Sequence, residues 1–586
     1  MHFKKFILVV MVFGMGLHSQ AQKHDYNWLL GYGYALNPGD TFGISVMDFN
    51  TPSLNPKIFF DSTKRIDFDG ASSCMSDKNG KFIFATNSVK IIDATGQTMS
   101  NGYDIDPDGS NFASIYPQTS VSIPLNSDSN KYMILHESII LAKGSGAGKP
   151  LLSRIVNLNI PNSLGIADKK SKIFYNDTIQ PLVMSPVRHA NGRDWWLAKP
   201  GLLENYFYTF IIRDTNIVLF EKQKIDTALY HSYSQGCFSA NGKYYAKVST
   251  GDDSVGTIID LLQFDRCSGK FAYVKKYEIL NSAVAIGCSF SPNSRFLYVS
   301  GAKFLYQIDL FSKEKEIFKI DSIDSFVEIL GGGFIGYVYF GLMEIGPDGR
   351  IYNVPGIFSR MINVIEKPNL LGRACDVKKH LIRLAGLQVT IPNHPNYRLG
   401  PIDGSPCDTL GINNIPVAEF RYDQDTSEYK KIEFTNLSWY EPDEYGWDWG
   451  DGSAIYYTTV WDSSIIHTYA KDGVYQVCLR AKNINGEHIV CKEIKLGTTG
   501  INSHDSNIDI QMHPNPAHDL IIINVEDYLP SKMLMTINDI QGKEVLLKRL
   551  YQGSNVIDLE DMNAGVYILE IKERGIMVRS EKLVKL

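Results

Sequence analysis

Apolar and polar positions alternate in short runs along most of this chain, and one arrangement of them recurs. A run of β-branched and aromatic residues enters a polar turn, and a second such run leaves it. The unit stands at 74–87 (CMSDKNGKFIFATN), 123–138 (IPLNSDSNKYMILHES), 187–200 (VRHANGRDWWLAKP), 237–249 (CFSANGKYYAKVS), 289–301 (SFSPNSRFLYVSG) and 344–356 (EIGPDGRIYNVPG). Its turn centres fall near 80, 130, 192, 242, 294 and 349. A hairpin repeated at near-constant spacing predicts the blades of a β-propeller, each a twisted sheet of about four strands that hides its faces only against its neighbours. The region 22–412 has room for about seven blades, with six or eight as alternatives and a parallel β-helix as the alternative architecture. The unit missing from the repeat would combine Trp28 to Gly31 and 43–49 with the segment around Ile391, so that both ends close the ring and no sheet edge stays open.

Two other patterns follow. Turn formers at Asp403-Gly404-Ser405-Pro406 and Asn413-Asn414-Ile415-Pro416 mark a junction. Beyond it, 413–498 carries strand-like runs at 432–439, 445–457, 465–483 and 488–494. Trp447 and Trp449 fall on one strand face, and Gly450-Asp451-Gly452 makes a tight turn after them. Both tryptophans are expected in a core rather than on a ligand platform. A linker at 499–507 leads to 508–586. There Ile508, Ile510 and Met512 alternate with polar residues, and Leu520-Ile521-Ile522-Ile523 reads as a strand without alternation. Gln541-Gly542 and Asn563-Ala564-Gly565 are turns, so a small terminal β-sandwich is expected. The fold class is therefore all-β throughout.

The N-terminus differs. Lys4 and Lys5 precede an apolar run from Phe6 to Leu17, and Ser19-Gln20-Ala21 supplies small residues before a cut between Ala21 and Gln22. This predicts a signal peptide at 1–21. No later run is long enough for a transmembrane segment. With 48 glycines, 24 prolines and 32 tyrosines, composition favours short strands and turns. A formal charge of −6 with no long basic run excludes nucleic acid as a partner, because phosphate binding needs clustered positive charge.

Eight cysteines in an exported chain point to disulfides. Cys478 and Cys491 flank an Asn485-Gly486 turn between two strand-like runs, which sets the sulfurs opposite each other. Cys375 with Cys407 and Cys237 with Cys288 are pairings by position alone; Cys74 and Cys267 receive no partner.

Several motifs fail on spacing. Gly144 to Pro150 lacks the residue count and the Ser or Thr of a phosphate loop and is expected to be a flexible loop. Gly331, Gly333 and Gly336 satisfy GxGxxG, but strand-like flanks leave no helix start for a pyrophosphate. His136-Glu137 begins a zincin motif that ends on Ile140. Asp104, Asp106 and Asp108 have DxDxDG spacing, which makes calcium the one cofactor candidate, although position twelve is Ile115 rather than Glu. Arg188, His189, Arg193 and Asp194, beside Trp195 and Trp196, are the one catalytic candidate cluster. The alternative is a blade turn at Asn191-Gly192 with the tryptophans packed between blades.

Three stretches resemble known families. Pro514-Asn515-Pro516-Ala517, Asp519, Asp539 with Gly542-Lys543, Asn555 with Asp558-Leu559, Ala564-Gly565-Val566-Tyr567 and Lys582-Leu583 resemble the C-terminal sorting domain of the type IX secretion system of Bacteroidota. The resemblance implies handling by that machinery and an address outside the outer membrane. It also implies loss of the terminal domain on export, with release or lipopolysaccharide anchoring as alternative fates. Asn436, Trp447-Asp448-Trp449-Gly450-Asp451-Gly452, His467, Tyr469, Gly473, Tyr475 and Val477 resemble a PKD domain, an immunoglobulin-like sandwich that usually has Phe where Trp449 stands. SFSPNSRFLYVS and IGPDGRIY resemble blades of lactonase-like and YVTN-type propellers.

The expected function is binding or adhesion at the cell surface, with the propeller as platform for a carbohydrate or protein ligand and the PKD domain as spacer or second contact. One alternative is an extracellular enzyme working from the propeller funnel, as a lactonase or a polysaccharide hydrolase or lyase. The other is a structural part of the cell surface or gliding machinery.

Overall fold

The computed structural model describes residues 22–31, 43–106, 112–126, 128–142, 145–177, 179–202, 205–227, 229, 235–250, 256–280, 287–329, 335–355, 359–425, 428–461, 464–497, 509–526, 533–550, 553–573 and 576–586. Among them, helical turns are confined to Phe112–Ile115 and Gly372–Cys375. No described helix is long and apolar enough to cross a membrane.

Among the described residues, seven antiparallel sheets of three to five strands follow one another between Asn27 and Gln388. The first is Asn27–Leu30, Ile44–Asp48 and Lys57–Asp61, and the second is Ser73–Ser76, Phe82–Thr86 and Ile91–Asp93. The third is built on Ser120–Pro124, Lys131–Ala142 and Ser145–Asn157. The fourth runs from Ser185–Arg188 to Asn216–Lys224, the fifth from Gly236–Phe238 to Lys270–Ile279, the sixth from Cys288–Phe290 to Ile317–Ser322 and the seventh from Met343–Ile345 to Val377–Gln388. A short extra hairpin, Val327–Ile329 with Ile335–Tyr337, stands between the sixth and seventh.

Each repeated sequence unit forms the hairpin that opens a sheet, from the second through the seventh. In five of the six the turn uses a residue with positive φ: Gly80, Gly192, Gly242, Ser294 and Gly349. Apolar clusters bridge neighbouring sheets all the way round. Leu29 and Val46 meet Cys74 and Ala85; Val187 and Trp196 meet Tyr245 and Leu262; Val248 and Ile259 meet Cys288 and Leu297. The seventh sheet then packs on the first, where Trp28, Leu30 and Met47 join Tyr352, Ile362 and Val364. Ring closure is therefore hydrophobic burial between sheets, the arrangement of a propeller. Ile391 is 5% exposed in that closing cluster, but its segment forms no ladder.

Two expectations need correction. Residues 145–150, expected as a flexible loop, are the start of strand Ser145–Asn157, paired with Lys131–Ala142. The strand Leu520–Glu526, expected without alternation, does alternate: Ile521, Ile523 and Val525 are buried while Leu520 is exposed. Four apolar residues in a row hid that period in the sequence, because β-branched residues also suit an exposed strand face.

The second unit is a two-sheet sandwich. Phe420–Gln424, Lys431–Asn436 and Ser464–Thr468 face Tyr456–Thr458, Glu444–Asp448, Gly473–Asn483 and Gly486–Leu496. Trp447 and Trp449 stack at 5.5 Å inside it, and Trp449 stacks on His467 at 4.6 Å. The C-terminal unit is a second sandwich, with sheets Asp509–His513, Leu520–Glu526, Gly553–Asp558 and Glu544–Leu550, Met533–Asp539, Gly565–Glu573, Ile576–Lys585.

Candidate functional site: the chamber between propeller and sandwich

After Gln388 the chain crosses the centre of the ring. Pro392 and Pro395 remove two backbone donors from this stretch, so side chains make most of its bonds. Asn393 donates its backbone N–H to Ser72 and its amide to the carbonyls of Ser120 (2.9 Å) and Met184 (2.8 Å). One residue thus ties the approaches of the second, third and fourth sheets. His394 Nε2 donates to the Cys74 carbonyl at 3.1 Å, and Tyr397 donates its hydroxyl to Ser122 at 2.7 Å. Asn396 reaches Ala240 at 2.7 Å. Arg398 grips Asp25 with two bonds of 2.7 and 2.5 Å. Arg266 then donates to the Gly400 carbonyl, and Cys407 closes a disulfide to Cys267 on the fifth sheet.

The PKD-like sandwich sits over the hairpin-turn face of the ring. Arg350 bonds Asp348 at 2.8 Å and Asp423 at 2.9 Å, and Arg421 donates to the Asp348 carbonyl at 2.6 Å. Lys367 bonds Glu433 at 2.8 Å. A Cβ at Gly349 would come within 2.7 Å of Leu437, so turn and sandwich touch.

Between the two units lies a chamber of about 490 Å³. Its walls are the turns at 239–241, 292–294 and 346–349, the crossing segment at 393–399, and 437–442 with Trp461. Trp439, Tyr440, Trp461 and Phe238 supply aromatic surface; Asp25 and Arg398 supply charge, and Glu344 a carboxyl. The Arg398 guanidinium lies 5.5 Å from the Trp439 ring centre, a cation–π distance. Burial holds the Glu344 carboxyl well above its usual range, with Cys237 and Asp25 adding to the effect and a backbone bond from His394 opposing it. Burial pulls His394 down to about 4, so it is neutral at pH 7.

The catalytic candidates stand elsewhere and satisfy one another. Arg188 is buried, lies 3.9 Å from the Trp195 ring, and donates to the Arg193 carbonyl (2.9 Å) and Asn126 (3.2 Å). Burial brings it to about 10. His189 Nδ1 accepts from the Asn191 N–H at 2.9 Å. Asp194 accepts from Arg193 (2.7 Å) and Asn191 (2.9 Å); burial would raise it, but these two donors outweigh that and lower it. The four side chains brace the turn and its tryptophans. His136 meets Ser171 at 3.0 Å, and Glu137 is locked to Lys199 at 2.9 Å with both side chains fully buried.

For the calcium candidate, Asp104 is exposed whereas Asp106 is buried and accepts a bond from Ser138; Asp108 lies outside the described residues. No group of three metal-ligating side chains occurs among the described residues. Ala21 of the expected cleavage site is also outside them, and Gln22 accepts a bond from Arg188 at 3.1 Å.

Cysteine pairing departs from expectation at Cys407. Its partner is Cys267, not Cys375, because the chain leaving the ring's centre passes back over the turn at Cys267. Cys375 is a buried thiol between the sixth and seventh sheets, and burial pushes Cys74 up to about 12. Cys237 and Cys288 stand side by side as thiols, 3.5 Å apart, rather than bonded. Cys478 and Cys491 are bonded across register partners of one hairpin.

In the sandwich, Asp451 bonds His467 (2.8 Å) and Ser453, Asp448 accepts from the Gly450 N–H at 3.0 Å, and Gly450 and Gly452 have positive φ. In the C-terminal unit, Asn515 between Pro514 and Pro516 brackets the last strand, donating to Lys582 (2.6 Å) and accepting from Val584 (3.0 Å). Lys585 reaches Asp519 at 3.3 Å. Asp539 accepts from the N–H of Lys543 at 2.9 Å around Gly542, and Tyr567, just after Gly565, donates to Asn563 at 2.8 Å.

Known families match both C-terminal units. Residues 413–496 match the PKD domain, and 511–585 match the secretion system C-terminal sorting domain. The chain is thus a propeller with a PKD domain and a type IX sorting domain. The sorting domain directs secretion across the outer membrane, to the cell surface or the extracellular space. No curated protein matches the chain. Among solved structures, the periplasmic gluconolactonase of Pseudomonas aeruginosa is 12% identical and covers 62% of this chain and 97% of its own, with a TM-score of 0.34. A quinonprotein alcohol dehydrogenase-like protein of Bacteroides thetaiotaomicron is 10% identical over 62% and 75%, with a TM-score of 0.30. TolB of Acinetobacter baumannii is 7% identical over 63% and 67%, with a TM-score of 0.27.

Sequence reasoning missed the chamber. Its walls come from three turns, a crossing segment and a second unit, all far apart in the chain. The one available signal was the run Pro392-Asn393-His394-Pro395-Asn396, polar yet placed where a ring-closing strand was expected.

Proposed function

We propose that this secreted protein is a binding protein whose seven sheets are the blades of one propeller and whose ligand sits in the chamber beneath the PKD domain. The observation that supports the reading is the chamber itself. About 490 Å³ falls in the range of small-molecule sites. Aromatic faces beside a few fixed polar groups suit a carbohydrate, whose rings stack on indole while its hydroxyls find Glu344 and the backbone of the turns. Leader removal before Gln22 and loss of the sorting domain on export, with release or lipopolysaccharide anchoring of the remainder, complete the reading.

The test is a glycan and protein array probed with residues 22–586, followed by calorimetry on any hit. Trp439→Ala and Trp461→Ala should each weaken binding at least tenfold while the circular dichroism stays native. Binding that survives both changes, or no binding to any glycan or protein, would overturn the reading. Glu344 favours a second reading: a chamber carboxyl held well above its usual range by burial is suited to donate a proton to a leaving group. On that reading Glu344→Gln abolishes turnover of the glycan while binding to it remains measurable.

A further inference from the structure

The geometry points to a covalent modification site in the chamber wall: Cys237 and Cys288 close to a disulfide that staples the innermost strands of the fifth and sixth sheets. The inference stands whether or not the chamber holds a ligand. Cys237 lies on Gly236–Phe238 and Cys288 on Cys288–Phe290, the strands nearest the ring's centre in adjoining sheets. Their sulfurs are 3.5 Å apart, and both line the chamber. A bonded pair sits near 2.05 Å, so closure asks the two sulfurs to approach by about 1.5 Å. Cys237 is partly exposed and Cys288 is buried, so in the folded protein an external disulfide reaches Cys237 first.

The oxidant is a disulfide, small or protein-borne. The Cys237 thiolate attacks it, forms a mixed disulfide and expels one thiolate. Cys288 then attacks the Cys237 sulfur and expels the second. The two cysteine protons pass to the two leaving thiolates, the cysteines lose two electrons, and the external disulfide gains them. The bond from Cys288, then burial, hold the Cys237 thiol well above its usual range, so the exchange is slow in the folded protein and fastest while the chain is still folding. The same chain already carries Cys267–Cys407 and Cys478–Cys491, which form in that oxidising compartment. The other free thiols, Cys74 and Cys375, lie in different clusters and do not compete.

The experiment counts thiols in the full mature chain after secretion, first equilibrated with oxidised glutathione, then unfolded in guanidinium without reductant. Of eight cysteines, the staple leaves two thiols reactive, Cys74 and Cys375; without it four react. Peptide mapping should recover Cys237 joined to Cys288. Cys237→Ser should raise the count to three by freeing Cys288. Four reactive thiols in the unaltered chain, either cysteine joined to a different partner, or a count that stays at two in the variant would each overturn the proposal.

Discussion

His24 shows how much one side chain can decide. It is 5% exposed and donates Nδ1–H to the Ser76 carbonyl at 2.7 Å. Burial lowers it to about 4, and burial with the nearby Arg154 charge lowers His136 to about 3. Both return to about 6.5 on unfolding. As pH falls from 6.5 toward 4, the unfolded chain takes up protons that the folded chain refuses, so the propeller loses stability. Each histidine should contribute a slope of about 1.4 kcal/mol per pH unit in that window. Denaturant titrations at pH 7, 6, 5 and 4 should show the loss, and His24→Gln should make it shallower by one histidine's share, leaving those of His136 and His394. Asp451 behaves oppositely in the PKD domain. Burial would raise it, but Ser453 and His467 outweigh that and hold it at about 2. Its contribution is complete above about pH 4 and disappears only as pH falls through 2. The propeller should therefore lose stability at a higher pH than the sandwich.

At the level of strands and turns, glycine's role depends on what faces it. Gly192 has φ +73°, and a Cβ there would sit 2.7 Å from Pro401, a ring that cannot swing aside. Gly404 has φ +72° with open space around it. Gly404→Ala should cost roughly 1 kcal/mol of backbone strain, and Gly192→Ala that plus crowding, about 2–4 kcal/mol; urea midpoints of the two variants compare them directly. These turns explain what the sequence could disclose. A hairpin is a local object, so Asp77-Lys78-Asn79-Gly80 and its relatives announce their geometry in four residues. The tryptophans of the PKD domain were equally plain, because strand alternation places both on one face. The Cys267–Cys407 bond spans 140 residues and depends on a chain path that no local pattern encodes. The chamber was hidden for the same reason.

Across the whole molecule, the sorting domain has its own core and its own two sheets. A chain ending at residue 508 should fold its propeller and PKD domain and accumulate in the periplasm. Immunoblots of periplasm and medium check this, and undiminished secretion would refute the role of the terminal domain. The PKD domain cannot be separated so simply, since Asp423 and Arg421 take part in the same ionic knot as Arg350 and Asp348.

The polypeptide fills the hole in its own ring with residues made only after all seven sheets. His394 meets Cys74 across 320 positions, and Asn393 meets Ser120 across 273. Contacts so distant in the chain form slowly. During synthesis the early sheets thus surround an empty axle hole, and nothing can lock the wheel until its hub emerges. Such a delay postpones the final rigidity of the ring until the hub and its partners have all been made.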